Sequence, residues 1–473
     1  MSVAALNDAR PLSIRPGSAE KPAAYGSQTR QLLDAPIVPT LLRMASPNIA
    51  VMVAQGATGL IETWFVSKLG TDALAGMALV FPGLMLMQMI SAGAMGGGIS
   101  SAIARALGAG RRAEADALVL HALVISGALG VLFSVLMLAL GRRIYRALGG
   151  EGGALVAALA YSNVVFAGNV LLWTMNGLAS VIRGTGNMRV PALVICAGVA
   201  VLVPLSPLLI FGIGPFAALG IAGGGVALVL FYTSGTAVLA WYILSGRSIA
   251  RLRWSPLRWP PFKNILAVGA VASITSLQTN VTIALATALV ASAAGPAAAA
   301  GYGTSARLEY LLIPLVFGLG APLVALVGTN IGAGQRERAL RVAFIGAAMA
   351  FVITEAIGLA AALWPELWIT QFSTDPKVIE TGSATLRLVG PFYGFFGLGL
   401  ALYFASQGAG RLFWPLTAGF LRMFVAIAGG WVALVLTGSL RWLFAALALG
   451  LFLHGATMLA AVASGAWFGS TDS

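Results

Sequence analysis

Leu107-Gly108-Ala109-Gly110-Arg111-Arg112 returns as Ile331-Gly332-Ala333-Gly334-Gln335-Arg336, a displacement of 332 − 108 = 224 residues in a chain of 473. A second pair, Arg183-Gly184-Thr185-Gly186 with Pro191 and Gln407-Gly408-Ala409-Gly410 with Pro415, keeps the same offset, since 408 − 184 and 415 − 191 are both 224. Residues 36–76 run against 261–301 at 261 − 36 = 225, so one residue is gained or lost before the first Gly-Ala-Gly turn. The chain therefore reads as built twice in parallel order, an arrangement that sets a binding site between two similar bundles.

Composition fixes the medium around those bundles. The chain is 59% hydrophobic and 9% charged with a mean hydropathy of +0.92, where soluble domains carry about 25% charge. Uncharged stretches bracketed by Val190 and Gly246, and by Lys263 and Arg307, are each long enough for two spans at about 20 residues per span. Spans are predicted near 37–67, 73–106, 117–140, 153–182, 190–211 and 216–245, then near 264–294, 297–329, 339–368, 381–406, 412–437 and 442–466. The expected fold is an all-α polytopic membrane protein, with twelve transmembrane helices in two six-helix lobes related by the internal repeat. Its parts are a disordered cytoplasmic tail at 1–35, an N-terminal lobe at 36–246, a cytoplasmic inter-lobe loop at 247–263, a C-terminal lobe at 264–467 and a short cytoplasmic tail at 468–473.

Arginine and lysine gather on alternate loops, at Arg105, Arg111 and Arg112, at Arg183 and Arg189, along 247–263, and at Arg336, Arg338, Arg341 and Arg411. Cytoplasmic loops collect such residues, so both termini are expected inside the inner (plasma) membrane. The net charge of +13 is scattered over several loops and forms no stripe, which excludes nucleic acid as the expected partner and favours attraction to anionic lipid in the bilayer. Residues 1–35 hold no apolar run of signal-peptide length. The one cysteine, Cys196, lies in an apolar span and excludes an intramolecular disulfide.

No Gly-Lys pair occurs, so the phosphate loop of a nucleotide-driven pump is missing. Gly96-Gly97-Gly98 and Gly223-Gly224-Gly225 lie in apolar helices, where small residues let backbones approach. His121 and His454 stand on different predicted helices without a second metal-ligating residue at suitable spacing, so neither a metal nor a cofactor is expected. No nucleophile, base and orienting group recur together, and an enzyme is not expected.

What remains is acid inside the membrane, which is costly enough to read as functional. Glu62, Glu309 and Glu355 are the three, and they are the candidates for coupling to a cation. Glu62 stands about eight residues before Gly70, roughly 12 Å from the outer end of its helix at 1.5 Å per residue. Pro47, fifteen residues earlier, removes a backbone hydrogen bond and is the expected hinge. Burial favours the neutral form of a carboxyl, so such a group exchanges a proton according to which side is wet. Gln55, at i − 7 from Glu62, and Asn48 are candidates to line a substrate cleft, with helix-to-helix hydrogen bonding as their alternative role. A helix starting near Ala297 sets Glu309 about 18 Å deep, as a coupling residue, a substrate contact or a tie between helices. Glu355 is expected to pair with an arginine such as Arg422, and Tyr393, Phe392, Phe395 and Phe396 form an aromatic cluster of the kind that suits organic cations.

Residues 59–70, GLIETWFVSKLG, resemble the first-helix motif of the multidrug and toxic compound extrusion (MATE) transporters, and more closely their DinF-like branch, which normally has Asp where this chain has Glu62. Pro47 falls where that family's kink proline does. Residues 300–309, AGYGTSARLE, are similar to the eighth-helix motif, and Pro314, Phe317-Gly318-Leu319-Gly320 and 328–334 follow in the family's order. The resemblance spans most of the chain. It implies a secondary exporter that moves amphiphilic, often cationic, small molecules outward by alternating access, in exchange for protons or sodium, and it implies a monomer. It also implies that Tyr393, Phe392 and Phe396 face the second lobe's interior.

The chain departs from the pattern at one place. Branch members with a sodium-type site tend to have Asn and Asp, four residues apart, before a Pro-Leu-x-Ile-Phe string; here Pro207-Leu208-Leu209-Ile210-Phe211 is present but Leu202 and Ser206 fill those positions. Proton coupling through Glu62 is therefore favoured over sodium. A lipid-linked oligosaccharide flippase of the same superfamily is the other alternative. It wants several cations in its cleft, and within the spans Arg43, Arg307, Arg387 and Arg422 are available.

Overall fold

The structure, a computed structural model, describes residues 25–214 and 217–468. All of the regular secondary structure in those residues is helical. A short α1 (Ser27–Asp34) precedes α2 (Ile37–Ser67), α3 (Thr71–Gln88), α4 (Gly96–Gly108), α5 (Arg112–Ala147), α6 (Gly152–Ala167), α7 (Asn169–Gly184), α8 (Arg189–Phe211) and α9 (Ile221–Leu244). Then come α10 (Trp259–Gly332), α11 (Arg336–Leu363), a one-turn α12 (Pro365–Ile369), α13 (Pro376–Val389), α14 (Tyr393–Ala409), α15 (Phe413–Phe424), α16 (Gly430–Thr437) and α17 (Leu440–Ala463). Ten of the helical runs are long and apolar enough to cross a membrane, and α6 with α7 form one further run bent by 48°.

The predicted span 37–67 coincides with α2, and most others fall within a few residues of a helix. Two breaks have plain causes. The run Met89–Met95 between α3 and α4 is a π-helical turn, a form concentrated at functional sites. The 74 residues of α10 would reach roughly 110 Å if straight, several times a hydrocarbon core. They bend at Gly295, whose φ of 83° and ψ of −178° leave the helical region, just before Pro296, where the preceding residue is pushed out of the α region.

Two sequence expectations change. The tail predicted as disordered over 1–35 is ordered from residue 25, because Leu32 and Leu33 are buried (4% exposed each) and the Asn330 amide donates to Leu32 O over 3.2 Å. Residues 1–24 and the tail end 469–473 lie outside the described residues. The helix α2 runs on through Pro47, the expected hinge. A proline there frees the carbonyl of Arg43, and the Ser46 hydroxyl donates to that oxygen over 3.4 Å, a repair that keeps prolines tolerable in membrane helices. Finally, the span predicted to run to 368 stops at Leu363, and α12 follows as a separate turn.

The repeated Gly-Ala-Gly turns end α4 and α10 in the same geometry. Gly110 and Gly334 both take φ of 74°, and Arg111 N bonds Ala106 O as Gln335 N bonds Asn330 O, each over 2.9 Å, a left-handed helix stop that needs glycine. The preceding glycines serve a second purpose. A Cβ on Gly108 would meet Thr329 O at 2.0 Å, and one on Gly332 would meet Arg105 O at 2.2 Å, so the ends of α4 and α10 close on each other through bare backbone. Arg105 adds donors to Ser101 Oγ and, over 3.2 Å, to Gly408 O at the end of α14.

Gly108→Ala is expected to force this seam apart and to destabilise the described state by about 1–3 kcal/mol, the usual cost of overpacking. Gly127→Ala, on α5 with nothing within 4 Å of the added carbon, is expected to leave the thermal midpoint in place. Thermal unfolding of the two variants in detergent, side by side, checks the contrast.

Candidate functional site

Glu62 is buried on α2 at 8% exposure, and its Oε1 has no hydrogen-bonding partner. Tyr161 of α6 and Tyr232 of α9 interact with it electrostatically. Ser206 of α8 has an unpartnered, buried Oγ and sits with Tyr161 around Gly224. Tyrosines of α6 and α9 thus bring hydroxyl groups toward the carboxyl on α2, and among the described residues it has no ion pair.

A cavity of about 250 Å³ opens between α2, α3, both parts of α10, and α14. Its walls are mostly apolar, with Met52, Met89, Phe317, Phe396, Tyr403 and Phe404 prominent, and Gln55 and Gln88 supply amides. Such walls adapt to varied apolar ligands. No aspartate or glutamate is among its lining residues.

A second polar cluster lies beside it. Glu309 of α10 and Arg422 of α15 form an ion pair in which Nη2 donates to Oε1, with both side chains only 10% exposed. Tyr393 of α14 and Tyr302 line the same small chamber. The Arg422 guanidinium carbon lies 5.2 Å from the centre of the Phe396 ring, and Phe396 is also a wall of the large cavity. A chamber of about 40 Å³ next to it is lined by Gln278, Thr282, Arg422 and His454 together with Phe396 and Tyr403.

The MatE family profile matches residues 47–208 and again 272–432, together more than half the chain. The chain belongs to the MatE family. Members of MatE are transporters, so this chain is a membrane transporter and not an enzyme. It is similar to the FAD transporter of Shewanella oneidensis, at 28% identity over 79% of this chain and 82% of that protein. It is also similar to the probable multidrug resistance protein NorM of Thermotoga maritima, at 26% identity over 82% and 83% of the two chains. A solved Pyrococcus furiosus transporter of the MOP superfamily, described by a reverse polarity of its binding pocket that suggests a different function, superposes with a TM-score of 0.85. That match is 24% identical and covers 95% of this chain and all of the other.

Within this MatE chain the predicted residues separate into three groups. Glu62 is buried with Oε1 unpartnered, and Gln55 and Phe396 line the cavity. Asn48 does not: its amide donates to Phe317 O and Gly318 O over 3.2 and 3.3 Å, which ties α2 to α10 and takes the helix-bonding alternative. Tyr393 lines the ion-pair chamber, while Phe392 packs on Phe395 at 6.4 Å in the core beside it.

The expected pairing of Glu355 with Arg422 is corrected. Arg422 is taken by Glu309, and Glu355 Oε2 accepts the Gly394 backbone N–H over 2.7 Å, bracing α11 against α14. Tyr161, Tyr232 and Gln278 were not picked out from the sequence, and Arg183 and His454 were read there as a loop charge and as a histidine without a metal partner. Gln278 and Thr282 stand one helical turn apart in an apolar span, a pattern that could have marked them.

Proposed function

We propose that this MatE transporter is a secondary exporter that moves amphiphilic organic compounds, cations among them, outward in exchange for protons by alternating access. The observation that carries this reading is the buried Glu62 carboxyl with an unpartnered oxygen, in a cluster that offers hydroxyls and no fixed cation. Such a group gains a proton at little structural cost, and gaining it changes what the surrounding hydroxyls can bond. Sodium prefers several oxygen ligands with carboxylate among them. Leu202 is instead a buried core side chain and Ser206 a lone hydroxyl, which supports protons over sodium. Glu309 is the second coupling candidate, and Glu355, bonded to a backbone N–H, is the weakest of the three.

The same reading places the chain in the DinF-like branch, as a monomer in the inner membrane with both termini cytoplasmic. It counts twelve spans, by taking the bent α6–α7 run as one and the two parts of α10 as two, in lobes that the paired family matches at 47–208 and 272–432 support. Outward opening then requires the Gly108 and Gly332 seam to be the cytoplasmic gate.

A second reading concerns the cargo. The relative from Shewanella oneidensis is a FAD transporter, and FAD is an anion. The cavity has no lining carboxylate and an arginine against one of its walls, which favours admitting anionic amphiphiles. The flippase reading has less support, since Arg43 bonds Gln31, Arg307 lies on the Phe372 ring, Arg387 pairs with Glu366 and Arg422 with Glu309. Proteoliposomes loaded with ethidium test the central reading: efflux is expected under an imposed pH gradient and not under a sodium gradient alone. Sodium-driven efflux without a pH gradient would overturn proton coupling.

A further inference from the structure

The central cavity does not end at Phe317 and Phe404. These rings meet edge to face with centroids 5.4 Å apart. Past them, toward the Gly-Ala-Gly seam, lies a chamber of about 20 Å³ lined by Ser100, Ser180, Arg183 and Gln407. The chamber shares Gly93, Phe317 and Phe404 with the cavity, so the two are one passage with a narrow waist.

Arg183 is 5% exposed, and among the described residues its guanidinium has no ion pair and no hydrogen bond. Ser180 Oγ and Gln407 Oε1, in the same chamber, are buried without partners as well. Gln407 is held in place from its other end, where Nε2 donates to Tyr403 Oη over 2.7 Å. The opposite wall is bare by necessity: a Cβ on Gly96 would stand 2.5 Å from Ser180 Oγ and one on Gly97 would stand 2.2 Å from Gln407 Oε1.

A guanidinium has five donors and no acceptor, and a buried charge without a partner is among the most costly groups a helix can carry. Its natural complement is a planar or tetrahedral oxyanion bound through two donors. Ser180 can add a third donor, and Gln407 Oε1 can accept from a hydroxyl or protonated oxygen of the same group. The chamber now has room for about one water. A larger group therefore enters when α4 withdraws from α10 and α14, which is when the passage opens at its basic end.

We propose that Arg183 and Ser180 form an anion subsite on the export path, which takes the phosphate or carboxylate end of an amphiphile whose ring system lies in the aromatic cavity beyond Phe317 and Phe404. This deepens the exporter reading and rests on it. Substrates carrying such a group are then selected at entry, before the waist closes behind them.

The full chain in phosphatidylcholine nanodiscs, titrated by fluorescence with riboflavin, riboflavin 5′-phosphate and ethidium, tests it. The first two share a ring system and differ by one phosphate. The wild type is expected to prefer the phosphate by at least tenfold, and Arg183→Gln to reduce that ratio below twofold. Ser180→Val, which crowds the chamber from its other wall, is expected to reduce it as well, so the outcome does not hang on one variant folding.

Equal affinity for the two flavins in the wild type, or a ratio that survives both substitutions, overturns the subsite. So does a ratio that vanishes in phosphatidylglycerol nanodiscs, because the occupant is then a lipid headgroup. If ethidium is bound while the flavins are not distinguished, only the anion subsite falls. If none of the three is bound, the exporter reading falls with it.

Discussion

Glu62→Gln is expected to reduce pH-driven efflux from proteoliposomes at least tenfold, to the leak rate, while leaving ethidium binding within a few-fold of wild type. Glutamine keeps the size of the side chain and imitates the neutral acid, so the cavity wall formed by Met52 and Gln55 on the same helix keeps its shape. What is lost is the ability to take up and release a proton. A coupling device works only if the ion has different affinity for the two states, and a group that never ionises has none. Glu62→Asp retains the acid but withdraws it by one methylene from Tyr161 and Tyr232, and reduced, still proton-driven efflux is expected. The measurement is initial efflux rate against imposed pH difference for the three proteins. A full rate in Glu62→Gln would move the coupling site to Glu309.

The parts of this molecule legible in the sequence are those set by local rules. Ile37 and Ser67 bound a helix because the stretch between Pro36 and the Gly70 turn is predominantly apolar and long enough to span. The Gly-Ala-Gly pairs announced themselves because a left-handed helix stop and a close backbone contact both demand glycine at fixed positions. Glu62 could be picked out because a carboxylate in a long apolar helix has few structural uses.

Pairings between helices were not legible. Asn48 finds its acceptors 269 and 270 residues away, and nothing in its neighbourhood says whether its amide faces a cavity or another backbone. Arg422 had two acids within reach of a guess, Glu309 and Glu355, and only the rotation of α10 and α15 about their axes decides for Glu309. The helix α1 was hidden by its polar composition, since two leucines among charged and amide side chains carry no periodic signal until a groove is there to receive them. Arg183 was counted as one more positive loop residue, although it is buried.

The ion pair of Glu309 and Arg422 yields the other large effect. Both side chains are 10% exposed, and removing one partner leaves the other as an unpaired charge inside the bundle. Arg422→Met and Glu309→Gln are each expected to cost about 3–5 kcal/mol of stability, as broken buried pairs do. The double variant, which removes both charges, is expected to recover more than half of that. The coupling energy from the four proteins is then large and favourable, on the order of 2 kcal/mol or more, and thermal or denaturant unfolding in one detergent measures it. Single losses that simply add would show that the pair contributes nothing specific, and that its residues act separately. The arrangement around the pair argues otherwise. The guanidinium also rests against Phe396, a wall of the cavity, so any ligand that presses on this ring is felt by the pair. Weakening the Arg422 contact releases Glu309 toward Tyr302 and Tyr393, both of which interact with it electrostatically. A stable pair of this kind fixes α10 against α15 in the described state, and its opening is the price of moving them apart.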